Sequence, residues 1–330
     1  MPYIDKDFKP TLFEYTNVND YNRLLVYYPR KGGRGVLGCD FTYELLVTPT
    51  PTPTSSITPT ITVTPTLTPT PTPSSSAPAF DADAAAYLAD VIASGGTVDA
   101  TISAATNTLF TSLKNNGLYN DLYFFPFVGG TSASHSLFAK RSAGTTYDIT
   151  WFGGMTHGVS GATGNGTNSY GETALQRPTY SNQGDLTQGL YVVGDSSGQN
   201  AYELQSTVTD NNVLITRFTN NSAYVRYNGG FKTASNSDGT GLYIATLTGS
   251  TGGVAKLFKN TSTTLINTTI TNDNDYQADN NWILRGPSIS SSSSRTVNFV
   301  LYSTYLTDSQ ASTLSTIINT FQTSLGRNIY

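Results

Sequence analysis

The sequence predicts a mainly β protein, a sandwich or jelly roll with helices at both ends of its main domain, preceded by a small β-hairpin and a linker. Three observations support this. Between residues 147 and 302, short runs of alternating apolar and polar residues are separated by clusters of Gly, Asn, Asp and Ser. On both sides of that region, apolar residues recur every three or four positions, as in amphipathic helices. A Thr/Pro-rich tract at residues 48–79 separates this domain from the N-terminal segment.

The composition excludes several kinds of protein. The chain has 330 residues, of which 37% are hydrophobic and 12% charged, which is enough apolar material for about two domains. Its net charge is −4 and its 18 Lys and Arg are scattered, so we expect no nucleic-acid partner. We expect no membrane span, because no run of about 18 apolar residues occurs, and the opening MPYIDKDFKP lacks the features of a secretory signal peptide. Cys39 and two histidines offer neither an intrachain disulfide nor a zinc site, and we expect no cofactor.

Residues 1–47 are predicted to form a docking module. Strand-like runs at residues 24–28 and 36–46 flank the turn sequence PRKGGRG, which predicts a hairpin. A unit this small buries too little surface to fold alone, so we expect it to fold on another subunit or on copies of itself. The alternative is a poorly ordered tail. The candidate docking residues are Leu24, Val26, Tyr28, Val36, Phe41 and Leu45.

Residues 48–79 are predicted to form a linker or stalk. The tract carries nine of the 15 prolines, and alternating Thr and Pro favour an extended polyproline II backbone of about 3.1 Å per residue. Two interpretations remain, a bare tether and a stalk in which several copies bury their aliphatic side chains together, and the stalk is preferred. Those aliphatic residues are Ile57, Ile61, Val63 and Leu67.

Two helices are predicted at the start of the segment 80–330. Asp81 or Asp83 caps the first, which continues through AAAYLADVIAS and ends at Gly95. The second begins after Thr97 and ends at Gly117. Its apolar face contains Ile102, Ala105, Leu109 and Leu113.

A third helix is predicted at the end of the chain. Thr307 and Gln310 have the spacing of a capping box, and Gly326 follows the helix. We expect the apolar faces of all three helices to cover a sheet. The stripe of this last helix contains Leu314, Ile317, Ile318, Phe321 and Leu325.

Eight short strands are predicted between the helices. Turn sequences at Asn228 and Gly229 and at Asp238 and Gly239 fit hairpins. The predicted strands are residues 147–151, 189–193, 212–218, 224–227, 241–247, 254–258, 282–284 and 297–302.

Four strings give the segment a family resemblance. They are FDADAAAYLADVI (80–92), YFFPFVGGTSASHSLFA (123–139), GGMTHGVSGATGNGTNSYGETAL (153–175) and FQTSLGRNI (321–329). Together they resemble a domain of virion structural proteins from tailed bacteriophages, similar to concanavalin A-like (LamG-type) jelly rolls. The resemblance spans nearly all of residues 80–330 and implies a concanavalin A-like jelly-roll sandwich.

Aromatic residues are the candidate sugar-binding groups of this domain. An aromatic ring packs against the apolar side of a sugar, while amides and carboxylates bind its hydroxyl groups. Trp151, Tyr170, Tyr180 and Trp282 lie near Asn and Asp residues and are the candidate carbohydrate-binding residues. The alternative for each is packing in the core or across strands, where most aromatic residues of a sandwich lie.

Other polar residues point less clearly to chemistry. A Ser/His/Asp hydrolase would use His135 or His157 as its base, but neither lies in a G-x-S-x-G motif, and we expect them to fix nearby loops by hydrogen bonds. Asp273, Asp275 and Asp279 are candidate Ca²⁺ ligands that lack the glycine and glutamate of an EF-hand loop, and a solvated acidic loop is the preferred interpretation. We therefore expect no catalytic residue and no enzymatic activity.

The family resemblance implies a virion surface protein, either a capsid decoration or head fibre or a tail fibre. Residues 1–47 are then expected to bind other virion proteins, while residues 80–330 face outward for host-surface or glycan adhesion. The protein is expected on the virion surface after assembly in the host cytoplasm, as a homo-oligomer, with a trimer favoured. Two alternatives stay open, an extracellular carbohydrate-binding module of a secreted bacterial protein and a glycan depolymerase.

Overall fold

The computed structural model divides the chain into two compact units, Met1–Pro73 and Ser74–Tyr330. In the first unit it describes two antiparallel strands, β1 (Leu12–Phe13) and β2 (Leu25–Val26). In the second it describes residues 80–141, 144–182, 184–194, 201–206, 212–227, 230–249, 252–260, 263–270, 278, 280–286 and 291–330. The predicted strand 36–46 and the Thr/Pro tract lie outside these residues. Among the candidate docking residues, Val26 lies in β2, and Leu24, Tyr28, Val36, Phe41 and Leu45 lie outside the described residues.

Helices flank the strands of the second unit, as the sequence predicts. In the parts of the chain that the structure describes, no helix has the length and apolar character needed to cross a membrane. The helices are α1 (Ala82–Ala93), α2 (Ala100–Asn115), α3 (Ser132–His135), α4 (Arg177–Tyr180) and α5 (Asp308–Ser324).

Side-chain caps define where the long helices begin. Asp81, rather than Asp83, caps α1, because its Oδ1 accepts hydrogen bonds from the backbone N–H groups of Asp83 and Ala84 at 3.0 and 3.1 Å. The capping box predicted for α5 is confirmed. Gln310 N–H donates to the hydroxyl of Thr307, and Thr307 N–H donates to the Gln310 side chain.

Within the described ranges of the second unit, the strands form two antiparallel sheets. The seven-stranded sheet runs in spatial order through β12 (Phe231–Ser235), β11 (Ser222–Tyr227), β10 (Asn212–Ile215), β9 (Leu204–Ser206), β16 (Asn281–Ile283), β7 (Tyr170–Thr173) and β4 (Ile149–Phe152). The eight-stranded sheet runs through β15 (Thr263–Thr269), β14 (Val254–Lys259), β13 (Gly241–Thr248), β8 (Leu186–Gly194), β17 (Thr296–Ser303), β6 (Gly161–Thr163) and β5 (Thr156–Gly158), and β3 (Tyr123–Pro126) also pairs with β17.

Two hydrophobic cores make the second unit a three-layer structure. One core lies between the two sheets, and the other lies between the eight-stranded sheet and α1, α2 and α5. Strand β8 contributes to both, because successive side chains of a strand point to opposite faces: Leu190 and Val192 enter the inner core and Tyr191 enters the helix core. The helices therefore cover the eight-stranded sheet. The seven-stranded sheet has one face on the inner core and its other face turned away from both cores.

The strands that sequence analysis missed are short or polar. Strands β3, β5, β6, β7 and β9 have three or four residues, and β12 and β15 carry many Thr, Ser and Asn. Such segments show no clear apolar alternation. Several predicted boundaries also differ by one to three residues, and the strand predicted from residue 189 begins at Leu186. The strand from Asn212 ends at Ile215, and the strand through Trp282 ends at Ile283, because Leu284 has a left-handed backbone with φ of 62°.

Candidate functional site

The candidate site lies on the outer face of the seven-stranded sheet, defined as the face turned away from the eight-stranded sheet. Residues paired across antiparallel strands share a face. Ile149 and Ile283 point into the inner core, so their neighbours along the strands point outward. Trp282 on β16 is paired with Glu172 on β7, and both side chains therefore lie on the outer face.

Three aromatic rings, a carboxylate and a guanidinium form what we call the Trp282 cluster: Phe152, Tyr170, Glu172, Trp282 and Arg285. Phe152 and Tyr170 are stacked with centroids 4.7 Å apart, and Tyr170 meets Trp282 edge to face at 6.1 Å. Phe152 keeps 40% of its surface exposed. The cluster thus presents aromatic surface to solvent at one end of the sheet.

Glu172 fixes the orientation of the indole ring in this cluster. Its Oε2 accepts a hydrogen bond from Trp282 Nε1 at 3.0 Å, and its Oε1 accepts one from Asn280 Nδ2 at 2.9 Å. Both carboxylate oxygens are therefore engaged by neighbouring donors. Hydrogen bonds to a charged acceptor are among the stronger ones in proteins, so the ring is held in a defined position before any ligand arrives.

A second aromatic group, the Phe231 pocket, lies at the other end of the same face. It is a cavity of about 160 Å³ lined by Tyr202, Ile215, Phe218, Tyr224 and Phe231. The rings of Tyr224 and Phe231 meet edge to face at 5.8 Å, and Phe231 is 41% exposed. The pocket is largely apolar and open to solvent, which suits the apolar side of a ring-shaped ligand.

One cross-strand row connects the two groups. Four strand spacings of about 4.8 Å separate β16 from β12, so Trp282 and Phe231 are about 19 Å apart in the direction across the sheet. Gln205 and Val213, between them, are buried. The outer face therefore offers two separate contact points, which suits an extended ligand. The row, in order, is Glu172, Trp282, Gln205, Val213, Arg226 and Phe231.

The structure brings together two of the four aromatic residues that the sequence suggested. Tyr170 and Trp282 lie in the Trp282 cluster. Trp151 instead packs at the inner core, with its ring 5.7 Å from that of Phe127. Tyr180 is 2% exposed, and its ring packs against other core residues, so a sugar cannot stack on it in this position.

Sequence reasoning missed most of the outer-face residues. Alternation along a single strand shows which residues share a face, but it does not show which strands are neighbours. The missed residues are Phe152, Glu172, Tyr202, Phe218, Tyr224, Phe231 and Arg285.

The candidate Ca²⁺ ligands Asp273, Asp275 and Asp279 lie outside the described residues. Within the described ranges, no group of three or more His, Cys, Asp and Glu side chains is placed to hold a metal ion.

The two histidines lie next to each other at the inner core. Their Nδ1 atoms are 3.1 Å apart, so one ring donates and the other accepts. Burial lowers the pKa of His135 to about 3, with smaller contributions from His157 and Arg327, and burial also lowers the pKa of His157. Both rings are therefore neutral at pH 7. The sequence predicts that each histidine fixes a nearby loop, whereas in the structure the two rings bond to each other and link α3 to β5.

Comparisons with known proteins show only a shared kind of fold. No family model matches the sequence, and no curated protein matches it. Among solved structures, a trans-sialidase-active mutant of Trypanosoma rangeli sialidase has a TM-score of 0.47 at 12% identity, over 67% of this chain and 40% of that one. Domain 4 of the GH43 extracellular arabinanase AbnA from Geobacillus stearothermophilus, in complex with arabinotriose, has a TM-score of 0.38 at 12% identity, over 51% and 89%.

The receptor-binding domain of botulinum neurotoxin mosaic serotype C/D has a TM-score of 0.38 at 11% identity, over 59% of this chain and 50% of that one. The chain spans less than half of the sialidase structure. At these identities and TM-scores the likeness carries no inference about ligand or activity, which must come from the outer face itself.

Proposed function

We propose that residues 80–330 form a glycan-binding module whose ligand contacts the outer face of the seven-stranded sheet. The observation that supports this most directly is the pair of half-exposed rings, Phe152 in the Trp282 cluster and Phe231 at the far edge strand of the same face. The Trp282 cluster and the Phe231 pocket also include polar groups suited to hydroxyls, the amide of Asn280 bonded to Glu172 and the amide of Asn220 bonded to Tyr224. A surface with two aromatic contact points fits a polysaccharide better than a single sugar.

We further propose that the protein displays this module on the surface of a tailed-bacteriophage virion. The four family strings within residues 80–330 and the Thr/Pro-rich composition of residues 48–79 support this proposal. Residues 1–47, too short to fold alone, then anchor the protein to other virion proteins, with trimeric association favoured. Many copies on one particle give useful avidity to a glycan contact that is weak in a single domain.

Glycan binding can be tested with variants of two equally exposed phenylalanines. Phe231→Ala removes the rim of the Phe231 pocket, and we expect affinity for a bound surface polysaccharide to fall about tenfold. Phe80→Ala is the matched control, because Phe80 is 44% exposed against 41% for Phe231 but lies before α1. A glycan array probed with the full chain identifies the ligand, and titration of both variants follows. Equal loss in both variants, or no glycan bound, contradicts the proposed function.

Display on a particle can be tested separately. A shortened chain that starts at residue 80 is expected to keep glycan binding and to lose association with virions, measured by co-sedimentation. Retention on particles without residues 1–47 contradicts the anchoring role. The same glycan surface would then suit a carbohydrate-binding module of a secreted protein, the second candidate.

A further inference from the structure

Leu284 has an unusual backbone conformation at the edge of the Trp282 cluster. Among the described non-glycine residues, positive φ occurs at Asn221, Asn260 and Leu284. Asparagine adopts this left-handed conformation readily, whereas a bulky residue such as leucine does so only against a steric penalty. Such strain persists where surrounding structure enforces it, and it is concentrated at functional sites.

Hydrogen bonds hold the strained residue in place on both sides. Leu284 N–H donates to the carbonyl of Glu203 at 2.7 Å, and Ser293 N–H donates to the carbonyl of Leu284 at 2.9 Å. The leucine side chain is fully buried in the inner core. The conformation is thus fixed by the fold and does not depend on Arg285.

The strain changes which face the next residue occupies. In a regular strand, residue 285 would share the face of Ile283, which is the inner core. Instead Ile283 and Leu284 are both core residues, and Arg285 lies on the outer face with Trp282. The left-handed residue therefore keeps an arginine out of the core and brings it over the aromatic rings.

The guanidinium of Arg285 lies over two aromatic rings and has no ion-pair partner among the described residues. Its Cζ lies 3.8 Å from the ring centroid of Trp282 and 4.2 Å from that of Tyr170. In the described part of the chain no side chain forms an ion pair with it, and Nε has no hydrogen-bond partner. Glu172, beside it, uses both carboxylate oxygens on other donors. By contrast, Arg141 is paired with Asp90 and Asp148.

We propose that Arg285 is the anion-binding residue of this surface and that the glycan it recognises carries carboxylate or phosphate groups. This inference rests on the proposed glycan function. Contact with the rings of Trp282 and Tyr170 restrains the guanidinium, whose Nε is buried, and leaves the N–H donors of its two Nη atoms to match the two oxygens of a carboxylate or phosphate. A neutral glycan would leave these donors without a charged partner.

The test compares three probes on the full chain: oligogalacturonate, the same oligomer fully methyl-esterified, and a glycerol-phosphate teichoic acid. The first two differ only in charge, and the third supplies phosphate instead of carboxylate. We expect at least one anionic probe to bind more tightly than the ester. Binding of oligogalacturonate alone assigns a carboxylate ligand, and binding of teichoic acid alone assigns a phosphate ligand.

Variants then assign the effect to Arg285. Arg285→Gln is expected to weaken binding of the anionic probe by about tenfold to a hundredfold, as for the loss of charge-assisted hydrogen bonds, and to leave binding of the ester unchanged. Arg285→Lys keeps the charge but loses the planar fork, so an intermediate loss is expected. Lys256→Gln is the charge-matched control, since Lys256 pairs with Asp308 on the helix side of the domain.

The two proposals fail differently. If acid and ester bind equally well and Arg285→Gln changes neither, the glycan function stands and the assignment of Arg285 is overturned. If the array and all three probes show no glycan binding, both are overturned. Should Arg285→Gln fail to fold in a thermal melt, the wild-type chain decides: raising salt from about 50 mM to about 500 mM must weaken binding of the acid and spare the ester, and equal responses overturn the assignment.

Discussion

At the scale of single residues, the backbone of Leu284 gives a prediction about stability that runs against the usual rule. Glycine in a strand is ordinarily less favourable than alanine by about 0.5–1 kcal/mol. At Leu284, however, glycine relieves a left-handed conformation that costs alanine roughly 1–2 kcal/mol. We therefore expect Leu284→Gly to be more stable than Leu284→Ala, with a higher free energy of unfolding, although both variants lose the buried side chain.

Leu204 provides the matched control for this prediction. It is fully buried in the same core and lies in β9, outside the positive-φ residues. Leu204→Gly should therefore be less stable than Leu204→Ala. Urea denaturation of the four variants measures the two differences, and the same sign at both positions would show that Leu284 is not strained.

The buried His135 predicts how stability depends on pH. Its pKa is lowered to about 3 in the folded protein, whereas an unfolded histidine titrates near 6.5. The unfolded state therefore binds a proton that the folded state does not, so stability is lost as pH falls from about 6.5 towards 3. As pH falls from about 7.5 to about 5, His135 should lower the free energy of unfolding by roughly 2 kcal/mol.

Replacing His135 isolates its share of that loss. His135→Gln cannot titrate in this range, so its unfolding free energy should fall less between the two pH values than that of the wild type. Denaturant unfolding at both pH values gives the comparison. Parallel losses in the two proteins would mean that other groups carry the pH dependence.

At the scale of elements, α5 offers the same substitution with opposite expected signs. Thr307→Ala removes the hydroxyl that accepts from Gln310 N–H, and loss of such a cap costs about 1 kcal/mol. Thr316 is exposed in the middle of the same helix, where its hydroxyl bonds back to the carbonyl of Ser312. Thr316→Ala should be neutral or slightly stabilising because alanine is the better helix former. Thermal melts of both variants check the contrast.

The elements that could be predicted from sequence are those with local signals. The cap residues Asp81 and Thr307 and the glycines after the helices lie within a few positions of the helix ends, and the three long helices were located correctly. The four-residue helices α3 and α4 were not predicted. The strand at Trp282 shows the limit of such signals. The residues WIL read as a short apolar run, and the left-handed turn at Leu284 depends on hydrogen bonds to Glu203 and Ser293, which are distant in the chain.

At the scale of the whole molecule, the outer face exists only once the strand order is known. Trp282 and Phe231 share a face because β16, β9, β10, β11 and β12 lie side by side. The sequence shows Trp282 as an isolated candidate and gives no reason to join it to Phe231. The kind of fold was predictable because alternating apolar and polar residues, separated by clusters of Gly, Asn, Asp and Ser, repeat along the chain. Of the candidate site, only Tyr170 and Trp282 were predictable.

The position of the last strand also decides when this domain can fold in the cell. Strand β17 lies inside the eight-stranded sheet, with β8 on one side and β3 and β6 on the other, and α5 packs over the sheet. While a ribosome is still translating, β3 and β8 have no partner on these edges, and open strand edges invite aggregation. Because these pairings need residues 296–303, the sheet is expected to close only after that segment has left the exit tunnel, late in synthesis.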